Sequence, residues 1–193
     1  MKTFFSSLLF ILILCVSCQR NIPYTEDMKN NLKNMYDKDQ KAQEYNMTKV
    51  ERKSYSDSME VAFNSLIIKN TIVVKKYFEE YGFPGIKENG KDTTLHFWLL
   101  VQHSDHDVDF QNQVLKAMEK DLATKNVTLS EYAYLYDRVK KNQNKPQLYG
   151  TQMVWDSHGV HTPYNLESPE NVNERRKAMG LNSIEDYLKE FEN

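Results

Sequence analysis

Between Leu95 and Gln113 the chain passes abruptly from a run that is apolar on every side to a dense set of titratable groups. Leu95, Phe97, Trp98, Leu99, Leu100 and Val101 leave no polar face, and a segment of that kind is buried where it folds. His103, Asp105, His106, Asp107 and Asp109 follow at once. Each of these groups must reach water or a partner, and ionisable groups gathered at the end of a buried segment mark a candidate site. The rest of the chain is read around this corner.

Helical periodicity surrounds it. Thr25 is placed to cap a first helix, with Glu26 and Asp27 in the turn that the helix dipole favours for acids. Met28, Leu32 and Met35 then recur at helical spacing, and the next position on that stripe is Asp39, with Gln40 beside it. A carboxylate on an apolar stripe marks either a solvated helix end or a contribution to a shared polar cleft. Asn46 to Tyr55 reads as a polar connection, and Ser56 or Asp57 as the cap of a second helix that runs to about Tyr81. Asn70 interrupts that helix's stripe of Met59, Phe63, Leu66, Val73 and Tyr77, and a buried Asn needs hydrogen-bond partners. Gly82-Phe83-Pro84-Gly85 ends the helix, and Ile86 to Asp92 reads as a loop. A buried helix over Thr93–Gln102 and one capped by Asp105 or Asp107 come next, then a short one opened by Ser130 and Glu131 and ending past Asp137-Arg138.

After Pro146 the pattern changes. Gln147 to Trp155 is strand-like, Asp156 to Gly159 is a turn, and Val160 to Tyr164 is its partner, with Pro163 placing it at an edge. Ser168-Pro169 opens a further helix, and Ser183 caps a last one. The fold class expected is mainly α: a single helical domain over 25–193 with a small β-hairpin near the C-terminus.

The first residues read as a leader. Met1-Lys2 is a short basic start, and Phe4 to Val16 is an apolar run too short to span a bilayer comfortably. It ends in Leu14-Cys15-Val16-Ser17-Cys18, which resembles a bacterial lipobox and is favoured here over an ordinary secretory signal or an uncleaved anchor. Residues 1–17 are then a signal peptide, Cys18 the lipidated residue and 18–24 a tether, with an acylated Cys18 as the membrane partner. That places the domain in the bacterial cell envelope, periplasmic or surface-exposed. Cys15 and Cys18 are the chain's two cysteines, so the domain has neither a disulfide nor a thiolate metal site. A net charge of −2 and a pI near 6.2 give no support for the basic face that nucleic-acid binding normally needs, so no nucleic-acid partner is expected.

The chemistry-bearing residues fall on several elements. His103, Asp105, His106 and Asp107 offer imidazoles and carboxylates that suit Zn, Mn or Fe. His106-Asp107 is an adjacent pair of the kind helical metal-dependent phosphohydrolases use, with Asp39, Asp137, His158 and His161 as distant candidates for further ligands. Such short matches are common by chance, so the expectation is no cofactor, and His106 is the residue on which a divalent-metal alternative turns. Arg138 offers a planar fork for an anion, or ties its helix to a carboxylate such as Asp39 or Asp105. Gln147, Tyr149, Thr151 and Gln152 set amides and hydroxyls around Gly150, where a backbone can approach closely.

Several runs together resemble the bacterial family known as domain of unknown function 6624. They are Asp39-Gln40, Asn70, Tyr81 to Gly85, Trp98 to Asp105, Phe110-Gln111, Tyr134 to Val139, Gln147 to Gln152, and Pro169 to Gly180. Gln43, where the family pattern has Arg, and Phe83, where Trp is common, depart from it. The resemblance brings no activity. It implies a grouping: Asp39, Gln40, Asn70, His103, Asp105, Asp137, Arg138, Gln147, Tyr149 and Gln152 form its polar signature.

Three functions are compatible with these residues. The first is a cleft around His103 that binds, or also hydrolyses, a small polar or anionic ligand, with His103 as acid/base, Asp105 or Asp137 orienting it and Arg138 holding the ligand. Asp39, Gln40, Asn70, Gln147, Tyr149 and Gln152 would complete the binding set. The second is a non-catalytic envelope or interaction protein whose polar network specifies the fold. The third is a metal-dependent phosphohydrolase.

Overall fold

The computed structural model describes residues 22–48, 53–155 and 160–191. Residues 1–17, Cys18 and most of the tether lie outside them, as do the Asp156–Gly159 turn and His158. The described chain is mainly helical, with one two-stranded sheet. No described helix is long and apolar enough to cross a membrane.

Two long helices, α1 (Glu26–Thr48) and α2 (Lys53–Tyr81), come first. Both extend into the stretch expected to be a connection. No Gly or Pro occurs between Thr25 and Tyr81, and polar composition alone does not stop a helix. Gly82, at φ 79°, ends α2, its N–H bonding to the carbonyl of Phe78 at 2.9 Å. Residues 86–92, expected as loop, instead form a short helix α3 (Ile86–Asn89) and the start of α4 (Lys91–Gln102). After them come α5 (Val108–Asp121) and α6 (Leu129–Asn142).

The main core is aromatic and centred on Phe97 of α4, which is fully buried. Tyr24, Phe78 and Phe83 all set their rings against it within 6.5 Å. Burying a ring of this size stabilises by about 1.5–3 kcal/mol. Tyr24 was expected in the tether but belongs to this core. Its ring is buried, and its hydroxyl donates to the Gly82 carbonyl at 2.8 Å. Met28, Leu32 and Met35 are buried along α1 as their spacing predicts, and Asp39 follows them inward with no exposure.

The hairpin is shorter than its sequence suggests. β1 (Met153–Trp155) pairs antiparallel with β2 (His161–Pro163), in the register Val154 opposite Thr162. Gln147 makes only an isolated parallel bridge with Leu166, and Leu148 to Thr151 is not strand, because side chains rather than a partner strand take its backbone groups, as described below. A 3-10 turn at Pro169–Asn171 leads into α7 (Val172–Ala178), and α8 (Ile184–Lys189) closes the described chain. Ser183 caps α8 by accepting from the Asp186 N–H at 3.1 Å. Ser168 does not cap its helix: its backbone is left-handed at φ 43°, and its carbonyl accepts from Arg175. Met153, Val172, Ile184 and Tyr187 form a second, smaller core under the hairpin.

Glu131, in the first turn of α6, carries a built-in pH dependence. Its Oε2 is buried and has no hydrogen-bond partner among the described residues. Burial pushes its carboxyl up to about 7, a hydrogen bond with Thr128 offsetting only part of this. The folded pKa lies above the unfolded one. The stabilising contribution is therefore complete below about 4.5 and is lost as pH rises through about 7. Unfolding by urea at pH 5 and pH 8 should show the wild type weaker at pH 8, by up to ~3 kcal/mol from this group. Glu131→Gln should remove that part of the difference; an unchanged difference would mean that Glu131 does not cause it.

Candidate functional site

The site is built where the C-terminus of α4 meets α1, α2 and α6. His103 is the C-cap residue of α4, its N–H bonding back to the Leu99 carbonyl. Ser104 pins the corner from inside: its hydroxyl donates to the Leu100 carbonyl and lies 2.8 Å from the Thr71 hydroxyl on α2. Asp107 then starts α5, accepting from the Phe110 N–H at 3.0 Å and from Lys75 Nζ at 2.6 Å. The Lys75 hydrogen bond holds the Asp107 carboxyl below the usual range. Asp107 and Asp109 therefore belong to the helix start, which separates them from His103 and Asp105.

His103 Nδ1 lies 2.8 Å from Oδ2 of Asp39, across a sequence separation of 64 residues. The Asp39 side chain is buried, and the imidazole is 16% exposed. Gln40 Nε2 also donates to Asp39 Oδ2, while Asp39 Oδ1 is buried with no hydrogen-bond partner among the described residues. A hydrogen bond from Nδ1 to a carboxylate selects the tautomer with the proton on Nδ1, which leaves a lone pair on Nε2. No other side chain in the described structure hydrogen-bonds this ring. The orienting carboxylate is thus Asp39, not Asp105 or Asp137 as expected.

Asp105 has a different task. Its two oxygens accept from Arg138 Nε at 2.8 Å and Nη2 at 2.6 Å, and Oδ1 also accepts from Asn142 and Gln111. Burial pushes the Asp105 carboxyl up, but Arg138 and these amides more than offset it and hold it below the ordinary range. A carboxylate so occupied is a poor proton acceptor, and it serves to hold Arg138. Gln152 Oε1 accepts from Arg138 Nη1 at 3.1 Å. Of the five guanidinium N–H groups, three are thereby engaged and two remain for a ligand.

Asp137, one residue before, is spent on architecture. It is fully buried and points at the loop 147–152. It accepts from the N–H groups of Leu148, Tyr149 and Thr151 at 2.9–3.2 Å and from the Thr151 hydroxyl at 3.0 Å. Burial raises its carboxyl, and those donors pull it back. From the other side Arg175 Nε donates to the Leu148 carbonyl and Arg176 Nη1 to the Tyr149 carbonyl, each at 2.7 Å. The buried Gln147 side chain closes the loop on itself, donating to the Gln152 carbonyl and accepting from the Gln152 N–H. Gly150 completes the turn at φ 66°, where a Cβ would stand 2.9 Å from Ile184. Gln147 and Tyr149 are therefore parts of a clamp whose product is the position of Gln152, and through it Arg138.

His103, Asp105, His106 and Arg138 line one cleft of about 490 Å³, closed on the other side by Gln43, Phe63, Asn64, Ile67 and Ile68. Asn70 does not line it; it is buried in α2, and its Nδ2 has no hydrogen-bond partner among the described residues. Among those residues no group of three or more His, Cys, Asp or Glu side chains gathers as a metal ion would require. Sequence reasoning missed Gln111 and Asn142 as site-building residues. Gln111 donates to the Val101 carbonyl and to Asp105 and accepts from Asn142. Its signal was an amide on the inward face of an amphipathic helix.

A family model described as a family of unknown function, DUF6624, matches residues 26–193. No curated protein and no solved structure matches the chain.

Proposed function

From the premise that this chain belongs to the family of unknown function DUF6624, we propose that it is an exported, lipid-anchored domain whose cleft binds a small polar or anionic ligand. The observation that carries this is one cleft holding an oriented imidazole and an arginine with N–H groups to spare. Arg138 holds the ligand's negative charge through the two N–H groups that Asp105 and Gln152 leave over. His103 Nε2 takes a proton from a ligand hydroxyl or from water, with Asp39 stabilising the imidazolium that forms. Asp39 and Asp105 are positioning residues, the first for His103 and the second for Arg138. Where the ligand carries a hydrolysable bond, water activated at Nε2 is the attacking group. The apolar run before Cys18 supports the anchor. In a thermal-shift screen against phosphate and small carboxylates, the wild type should gain melting temperature and Arg138→Ala should not. The ligand-binding reading fails if His103→Ala and Arg138→Ala keep the wild-type gain.

A further inference from the structure

The cleft is larger and more apolar than an anion site alone requires. We infer that its ligand is an organic anion with an apolar part, the head at Arg138 and His103 and the apolar part on Phe63, Ile67 and Ile68. This rests on the ligand-binding reading above and adds the class of ligand.

The geometry comes from α2. Val74 and Phe78 lie on its inward stripe and are buried, with the Phe78 ring against Phe97 and Phe110. Followed back towards the N-terminus, that stripe passes Asn70 and Thr71 and reaches Ile67 and Phe63 at helical spacing. These two have the orientation of core residues, yet they are only half-buried and line the open cleft. Beside them Ile68, 47% exposed, stands at the mouth, and Ile72, one turn on, is 65% exposed. The apolar wall thus continues outward from the floor that holds the charges.

Electrostatics point the same way. Arg138 is already paired with Asp105, so the floor offers directed N–H groups but little net positive charge. A bare anion would bind through those N–H groups alone and would fill a small part of about 490 Å³. An apolar part on the opposite wall adds the missing affinity, at about 0.8 kcal/mol for each methylene removed from water, or about fourfold in affinity.

Calorimetric titration of the purified protein with inorganic phosphate, octyl phosphate below its micelle concentration, and octyl glucoside tests this. Octyl phosphate should bind at least about tenfold more tightly than inorganic phosphate, and octyl glucoside, which has the chain but no charge, should bind more weakly than octyl phosphate. Phe63→Ser and Ile68→Asn should erase the advantage of the octyl chain and leave phosphate binding in place. Ile68 is exposed enough for its variant to keep the fold, which the melting temperature checks. Equal binding of octyl and inorganic phosphate would overturn the ligand class and leave the site reading standing. Binding of neither would overturn both. Vesicles containing anionic phospholipid identify the source. Ile68-dependent vesicle binding assigns it to the bilayer, and binding of the monomer alone assigns it to soluble amphiphiles; either upholds the class.

Discussion

Replacing Asp137 by alanine is expected to destabilise the protein by about 4 kcal/mol, a large fraction of the total for a domain of this kind. The carboxylate is fully buried and serves three backbone N–H groups and one hydroxyl. Without it those donors stay buried without a partner, at roughly 1–3 kcal/mol each before relaxation. Asp137→Asn tests the mechanism. Its single oxygen can serve one side of the loop, while its amide N–H groups face donors on the other, so it should still cost about 2 kcal/mol. Urea unfolding measures both. Hydrogen exchange at the amides of Leu148, Tyr149 and Thr151 should accelerate in the alanine variant. A loss below about 1 kcal/mol with those amides still protected would contradict the clamp.

Arg176→Ala should be comparably damaging, at about 3–5 kcal/mol. Among the described residues Arg176 is the largest fully buried side chain, and no carboxylate hydrogen-bonds to it. Its guanidinium donates to the carbonyls of Tyr149 and Asn182 and to Asn182 Oδ1, and it stacks over the Tyr187 ring at 4.8 Å. Removing it leaves a cavity and three unserved acceptors. Arg176→Lys should recover only part of the loss, since one ammonium lacks the planar fork that reaches all three. Asp137 and Arg176 grip the same peptide segment, the first through the Tyr149 N–H and the second through its carbonyl. The double variant should therefore lose less than the sum of the single losses, and full additivity would mean that they do not act through a common loop.

The helical frame was legible because it is periodic. Met28, Leu32 and Met35 set the inward face of α1, and Asp39 stood out as a charge on that face. What periodicity cannot supply is the partner: His103 is 64 residues away and meets Asp39 only once α4 packs on α1. The Arg138–Asp105 pair was readable as one of the open alternatives, because a planar fork near an accessible carboxylate has few other uses. The role of Asp137 was not readable. It answers a non-repetitive loop whose course depends on the positive φ of Gly150, and irregular backbone leaves no periodic trace in sequence. For the same reason Gln147 to Thr151, rich in strand-forming types, was expected to pair as a strand. Side-chain capture of its amides by Asp137 outweighed that propensity.

These assignments divide the polar signature in two. Asp137, Gln147 and Tyr149, together with Arg175 and Arg176 from outside that signature, hold a loop, and that loop holds Gln152 against Arg138. Asp39 and Asp105 then hold His103 and Arg138 in the cleft. The most direct measurement is calorimetric titration of wild type, His103→Gln and Arg138→Gln with small anions, each variant's melting temperature being recorded alongside. His103→Gln is chosen because its amide can still donate to buried Asp39, which His103→Ala would leave with fewer donors. The expected result is that Arg138→Gln loses anion binding and His103→Gln weakens it, while both melting temperatures stay near the wild type. Anion binding unchanged in both variants, or a melting temperature that collapses together with binding, would contradict a ligand site and leave these residues as parts of the scaffold.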